Sequence, residues 1–333
     1  VKVLIVNEAL VHELLPMDVC IRLMRDALAT FSRGEAVQPL RSLLRLPDGS
    51  GVLGLMPGYL GEPRSFGLKV VSVMPGNHGT GYESHQGVVL LFGVIHGEPL
   101  AMLDGTAITT IRTAAASAAA TDVLARPDAG DLALLGSGTQ ARSHLTAMAA
   151  VRRLRRIRVW SRMRANAERF AREASAPERP KIEVMATAED AVRGADLVCT
   201  VTSAREPILR GAWLAPGAHV NAAGACFATH RELDTEAVRR SRLYTDCQES
   251  CLNEAGDFRI ARAEGAISEE HLLGELGEVL NGKVRGRLSN DDVTVYESLG
   301  IAIEDLAAGH SIHQRALASG KGAWVEWSGA PSA

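Results

Sequence analysis

The sequence has no basic excess, no long apolar run and no paired cysteine spacing, and each absence removes a class of function. Formal net charge is −3 and the pI lies near 6.4. No field of cations exists to meet nucleic-acid phosphates or an anionic membrane surface. No uninterrupted apolar stretch reaches the roughly 18 residues that a bilayer-spanning helix needs. Residues 1–8 lack the charged start and apolar centre of an export signal. The five cysteines are scattered and odd in number, which is no disulfide framework. The expectation is a cytoplasmic protein with reduced thiols and no nucleic-acid or membrane partner. Internal repeats are absent, and the one low-complexity tract is the alanine-rich run 114–120.

What is present is a globular composition. Hydrophobic residues make up 46% and charged residues 23% of 333. That is enough length for two domains of about 150 residues each, with a core of good size. Residues 15–31 place Val19, Leu23 and Ala27 beside Cys20, Met24, Leu28 and Phe31, a helical stripe closed by Gly34. Strand-like runs follow at 43–46, 52–56, 66–73, 87–92 and 100–103. Turn pairs such as Pro57-Gly58 and Pro75-Gly76 separate them and predict antiparallel neighbours. One long helix is expected over 106–126, where the alanines allow close backbone approach and Pro127 marks the end.

From Asp131 the pattern becomes strand, helix, strand. Strands are expected at 132–135, 157–160, 182–185, 196–201 and 219–221, with helices at 141–151 and 164–174. This alternation predicts βαβ units and a parallel sheet with helices on both faces. A last helix, 298–319, is expected to return to the first unit. The fold class is α/β: a Rossmann-type doubly wound parallel sheet in 116–304, plus a smaller α/β domain in 1–115 completed by a C-terminal helix in 305–333.

Residues 136–141 read Gly-Ser-Gly-Thr-Gln-Ala between a strand and a helix. In a G-x-G-x-x-A loop Gly136 makes the tight turn and Gly138 lets the backbone approach a pyrophosphate. Thr139 and Gln140 open a helix whose first N–H groups point at the anion. The alternative is a βα turn without a ligand; the strand-loop-helix context favours a dinucleotide. At the end of the second strand an NAD site wants an acid for the ribose 2′-hydroxyl. Ser161, Arg162 and Met163 stand there, with Arg164 close by. A guanidinium suits a 2′-phosphate, so NADP(H) is preferred over NAD(H), unless these arginines are simply solvated. The basic run 152–158 ends a helix and reads as a solvated face.

In the first unit Lys69 lies in a run apolar on both faces, alongside Val71 and Val73. It reads either as an amine meeting an anion or as a solvated edge-strand residue. Arg112 interrupts a small-residue helix and reads either as a structural ion pair or as a cation open to a cleft. Arg41, ahead of the 43–46 strand, is weaker by spacing alone. Cys247 and Cys251 lack a matched second pair, so no metal site is expected.

Several motifs then occur in order: Gly67-Leu68-Lys69-Val70-Val71, Pro75-Gly76-Asn77, His85-Gln86-Gly87 and the run after it, 97–106, 112–117, the glycine loop, and Thr294-Val295-Tyr296-Glu297-Ser298-Leu299-Gly300. Together they resemble the ornithine cyclodeaminase/mu-crystallin family, which also holds ketimine reductases and an archaeal type of alanine dehydrogenase. The resemblance implies a homodimer in which the first unit and the C-terminal helix bind substrate and dimerise. It implies that Arg41, Lys69 and Arg112 grip the substrate carboxylate. It places cofactor contacts at the glycine loop, Ser161, Arg162, Met163, Thr202 and Ser203, with Ser84 and Arg112 at the nicotinamide side.

One departure bears on mechanism. At the two positions where family members carry an acid after the 219–224 strand and glycine, this chain has Cys226 and Thr229. Cyclodeamination needs a base, expulsion of ammonia and two hydride transfers; imine reduction needs a carboxylate clamp, one hydride and one proton. His230 can act as acid or base near neutral pH, or is a solvated loop histidine. Cys226 reads as an inert small hydrophobe. The resemblance therefore implies reduction of a small imino acid, such as pyrroline- or piperideine-2-carboxylate, to the L-amino acid. The alternatives are an NAD-dependent ornithine cyclodeaminase, an alanine dehydrogenase-like enzyme, and a crystallin-like binding protein.

Overall fold

The computed structural model describes residues 1–77 and 79–328. In chain order the first elements are β1 (Lys2–Val6), α1 (Glu8–Leu14), α2 (Met17–Ser32), β2 (Ala36–Val37), β3 (Ser42–Arg45), β4 (Val52–Gly61), β5 (Arg64–Val73), β6 (His85–Phe92), β7 (Pro99–Asp104) and α3 (Gly105–Leu124). Next come β8 (Asp131–Leu135), α4 (Thr139–Val151), β9 (Arg156–Trp160), α5 (Arg164–Glu173), β10 (Ile182–Val184), α6 (Ala188–Val192), β11 (Leu197–Thr200) and β12 (His219–Ala222). The remainder is α7 (Thr235–Arg239), β13 (Ser241–Thr245), α8 (Gln248–Glu254), α9 (Gly256–Ala263), β14 (Leu272–Glu275), α10 (Leu276–Leu280), β15 (Val293–Glu297), α11 (Ala302–Ser319) and β16 (Ala323–Glu326). The chain separates into two compact units, one of Val1–Arg112 with the chain from Ile301 onward, the other of Thr113–Gly300.

The first unit is a mixed sheet in the order β16-β1-β7-β6-β5-β4-β2, with β3 also on β4. Strands β3 to β7 form an antiparallel meander, while β1 joins β7 in parallel. Cross-strand register sorts the side chains by face. Lys69 stands opposite Met56 on one side and Val89 on the other, and Met56, Val89, Leu91 and Leu103 are buried. Helix α11 covers this face: a Cβ built on Gly58 would fall 3.2 Å from Ala302 Cβ and 3.3 Å from Leu306 Cδ1. The opposite face is apolar and open in the single chain, with Leu55, Phe66 and Met102 exposed at 37%, 45% and 41%. The Phe66 and Phe92 rings pack there at 6.2 Å.

The second unit is a parallel sheet in the order β10-β9-β8-β11-β12-β15-β13-β14. The order reverses direction at β8, so the crevice at the carboxyl ends of β8 and β11 is the switch point of a doubly wound sheet. Strands such as 132–135 and Leu197–Thr200 are buried throughout, and apolar but for Thr200, because both faces are covered. A core of Leu135, Val198, Val220, Val295 and Phe258 lies on one side.

Three boundaries differ from expectation. The segment before α2 is itself helical, capped by Asn7, whose side chain accepts from Leu10 N–H, and Pro16 separates the two helices. The last helix begins at Ala302 rather than 298, because Leu299 and Gly300 donate their N–H groups to Asp246 Oδ2 at 2.7 and 2.6 Å and Gly300 takes φ 72°. After it, β16 adds to β1 in antiparallel register, Leu4 opposite Trp324.

Candidate active site

Three elements of the first unit converge on Lys69. Strand β5 presents the lysine on its covered face, α3 presents Arg112, and the first turn of α11 presents Glu304 and Asp305. Lys69 Nζ lies 2.7 Å from Asp305 Oδ2. Arg112 Nε donates to Asp305 Oδ1 at 2.9 Å and Arg112 Nη1 to Glu304 Oε2 at 2.9 Å. All four side chains are buried. One carboxylate is thus shared between two cations, and a second holds the guanidinium in plane. The two acids also sit at the positive end of α11, which favours their charged forms.

Burial pushes the Lys69 amine down to about 8, with Arg112 adding to the effect and Asp305 opposing it. Burial pushes the Asp305 carboxyl up, but the Arg112 and Lys69 charges outweigh it and leave the group below the ordinary carboxylate range. An ammonium has three donors. Asp305 takes one and the Thr109 hydroxyl, at 3.4 Å, a second. Among the described residues no contact for the third is seen. Half-buried Arg41 lies close enough for its charge to lower the lysine further. Around the buried carboxylates of Glu304 and Asp305 the site gathers the charges of Lys69 and Arg112, with Arg41 nearby. The structure therefore brings Arg41, Lys69 and Arg112 together, and the ion pair weighed for Arg112 is real. Ser84 precedes β6, its hydroxyl 3.0 Å from His85 Nδ1.

Sequence reasoning missed Glu304, Asp305 and Thr109. The available signal was two adjacent acids inside Ile301-Ala302-Ile303 and Leu306-Ala307, apolar on both sides.

In the second unit the glycine loop fits a dinucleotide pyrophosphate. Gly136 takes φ 123°, and a Cβ there would lie 2.6 Å from Val201 O, so the tight turn is required by the chain itself. Gly138 differs. It is exposed, it is the N-cap of α4 with no side-chain cap, and nothing lies within 4 Å of a Cβ built on it. Thr139 is exposed and Gln140 half-buried. The first N–H groups of α4 therefore open onto a glycine cradle that a side chain would fill. Ser161 and Met163 lead into α5; Arg164 is tied to Glu168 at 2.8 Å, whereas Arg162 is exposed.

Thr202 gives its backbone N–H, at 2.7 Å, and its hydroxyl to Glu232 Oε1. Ser203 beside it is exposed. Burial pushes Glu232 up to about 7, although the Thr202 bonds oppose the shift. Asp257 Oδ1 in turn accepts from the N–H groups of Glu232 and Leu233, both at 2.8 Å, and burial raises it strongly. Asp234 caps α7 by accepting from Ala237 N–H at 2.8 Å. The loop ahead of these residues holds Cys226, Thr229 and half-buried His230, whose ring meets Phe227 edge-on at 5.4 Å. Burial, then the Arg205 charge, lowers the His230 pKa. Cys247 and Cys251 are buried. Among the described residues no three His, Cys, Asp or Glu side chains are grouped to hold a metal ion, and no helix is long and apolar enough to cross a membrane.

Similarity to known proteins extends along nearly the whole chain. Ketimine reductase mu-crystallin of Mus musculus is 39% identical over 301 residues, covering 90% of this chain and 92% of that protein. The structure of Thermococcus litoralis Delta(1)-pyrroline-2-carboxylate reductase in complex with NADH and L-proline superimposes with a TM-score of 0.94 at 36% identity, covering 96% of this chain and 99% of that one. An archaeal alanine dehydrogenase dimer with bound NAD superimposes with a TM-score of 0.92 at 29% identity, covering 98% of this chain and 100% of that one. The model of the ornithine cyclodeaminase/mu-crystallin family matches residues 2–320. With its motifs, its doubly wound sheet and that match in accord, this chain belongs to the ornithine cyclodeaminase/mu-crystallin family.

Proposed function

We propose that this chain uses NAD(P)H to reduce the C=N bond of a small imino acid to the L-amino acid, with cyclic ketimine carboxylates of the pyrroline- or piperideine-2-carboxylate class as substrates. The observation that carries this reading is the buried Lys69, aimed by Asp305 and Thr109 with one N–H remaining, beside Arg112 and Arg41. The arginines suit a carboxylate, which they can grip in bidentate fashion. When bound, the dihydronicotinamide supplies the hydride for the imine carbon. Lys69 orients the imine nitrogen and, with a pKa near 8, gives it a proton at neutral pH. The activities named for the mouse and Thermococcus relatives support the same chemistry.

The residues at 226 and 229 favour reduction over cyclodeamination, because neither Cys226 nor Thr229 supplies the carboxylate base that ammonia expulsion needs. His230 is a secondary acid-base candidate. Gly136, Gly138, Thr139 and Gln140 hold the pyrophosphate, while Ser161, Arg162 and Met163 receive the adenosine ribose. Thr202, Ser203, Ser84 and Arg112 complete the cofactor contacts. Arg162 selects the 2′-phosphate and hence NADP(H) over NAD(H). The open apolar face around Leu55, Phe66 and Met102 is the homodimer surface.

The test is a nicotinamide absorbance assay with NADPH and with NADH. Pyrroline-2-carboxylate, piperideine-2-carboxylate, pyruvate with ammonia, and ornithine are offered in turn. Cofactor oxidation by a cyclic ketimine is expected. Tight cofactor binding with no turnover of any ketimine refutes the reading.

A further inference from the structure

We infer that Asp305, backed by Glu304, is the positioning residue of this site: its shared carboxylate aims Lys69 and keeps that amine in the ammonium form able to protonate the imine nitrogen. The inference rests on the reductase reading above and deepens it.

Charge bookkeeping around the lysine supports it. Facing Lys69 are Arg112 and Thr109 from α3, Asp305 from α11, and Arg41 from the segment before β3. Its cross-strand partners Met56 and Val89 are apolar. Glu304 acts at one remove, on Arg112. Cys20 of α2 lies near the same charges, but burial raises its thiol far above neutrality, so it stays uncharged. Without Asp305, Lys69 and Arg112 would be two buried cations beside the one carboxylate of Glu304. Guanidinium groups do not deprotonate in proteins, so lysine alone can yield. Without Asp305 less of the amine would be ammonium at neutral pH, and the neutral form could accept but not give a proton. Two contacts to a single carboxylate, at 2.7 Å from Lys69 and 2.9 Å from Arg112, also lock the two cations to each other.

The step balances. A proton leaves Nζ for the imine nitrogen and its bonding pair stays on Nζ. The hydride that a bound dihydronicotinamide would supply would complete the new C–H bond, leaving that cofactor oxidised by two electrons. Solvent then reprotonates Lys69.

The experiment compares wild type with Asp305→Asn, Asp305→Glu and Glu304→Gln in the full chain. Two readouts are taken: the pH dependence of kcat with pyrroline-2-carboxylate and NADPH, and the titration of Lys69 followed by NMR of 13C-labelled lysine. Only Lys2, Lys181, Lys283 and Lys321 share that spectrum. Because the acid form is the active one, wild-type kcat is expected to fall as pH rises through about 8. Removing an adjacent negative charge lowers an amine pKa by about one pH unit or more. Asp305→Asn should therefore move both the falling limb and the NMR midpoint down by that amount, and cut kcat at pH 7 about twofold for a shift of one unit and about tenfold for two. Asp305→Glu should keep the wild-type limb even with a lower kcat. Glu304→Gln should move the midpoint in the same direction by less, and it carries the test if Asp305→Asn does not fold. An unmoved Lys69 midpoint in Asp305→Asn, or in Glu304→Gln where that variant stands in, overturns the inference. So does an equal displacement in Asp305→Glu. A wild type that reduces no ketimine defeats the substrate reading alone, since the NMR midpoints still decide whether Asp305 holds the ammonium.

Discussion

Replacing Arg112 by methionine should cost the first unit a large fraction of its stability, and the loss should depend on pH. The guanidinium lies 2.9 Å from Glu304 and 2.9 Å from Asp305, and both carboxylates have no exposed surface. Breaking a buried pair by removing one partner costs about 3–5 kcal/mol, because the remaining charge is stranded in a poor solvent. Typical domains have only about 5–15 kcal/mol in all. Here two carboxylates lose a cation, although Lys69 still serves Asp305, so the middle of that range is expected. With Arg112 gone, the folded-state pKa values of Glu304 and Asp305 rise above their unfolded values. The folded chain then holds protons that the unfolded chain has released. The deficit should be largest above neutral pH and shrink as pH falls toward the carboxylate range, by up to about 1.4 kcal/mol per pH unit for each group. Urea unfolding followed by circular dichroism from about pH 5 to pH 8 measures it. Adding Glu304→Gln and Asp305→Asn to the same chain should recover most of the loss, since Lys69 can neutralise by losing its proton. A deficit below about 1 kcal/mol at the alkaline end, or one that ignores pH, would show that this cluster does not bear on folding as argued.

Gly138→Ala should leave the unfolding midpoint nearly unchanged, because nothing lies within 4 Å of the added methyl, while dinucleotide affinity drops at least about tenfold; equal affinity by calorimetry would end the cradle assignment. Arg162→Asp should weaken NADPH binding by about 2 kcal/mol and NADH much less, and equal losses for both would defeat the phosphate-pairing idea. Burial lifts Glu232 to about 7 in the folded chain, so its contribution is fullest below about pH 4.5 and is lost as pH rises toward 7. Against Glu232→Gln, wild type should therefore lose about 1.4 kcal/mol per pH unit across that window, and parallel stability curves would contradict the burial argument. Phe66→Asp, on the open sheet face, should turn a sedimenting dimer into a monomer at micromolar concentration, and an unchanged sedimentation coefficient would remove that face from the interface.

The parallel sheet was legible because β8 and β11 are almost wholly apolar and the Gly136–Gly138 spacing marks the turn between strand and helix. Strands β13 and β16 were not. The first starts Ser241-Arg242 and takes its conformation from the register with β15, the second is an exposed edge strand whose pairing with β1 spans the chain. Lys69 could be found by alternation, since it falls in step with Val71 on a face that must be covered. Arg112 stood out against alanines, but whether it pairs within the chain depends on what α11 brings. Glu304 and Asp305 resemble the ordinary acids of a first helical turn. Only the packing of α11 on β4, β5 and β6 turns them inward. The site's cations are thus local in signal, and their counter-charges are a tertiary fact.

The helix that supplies those counter-charges leaves the ribosome long after the cations it answers. Arg112 meets its acidic partners across 192 and 193 residues of chain, and the whole of the second unit is translated in between. During that interval the nascent meander holds Lys69 and Arg112 with no anion to answer them and a greasy sheet surface with no helix to cover it. Local segments fold early and distant ones wait on loop closure. Synthesis therefore passes through a long stage in which the second unit is finished and the first is not, a window in which chaperones and proteases would read this chain as incomplete.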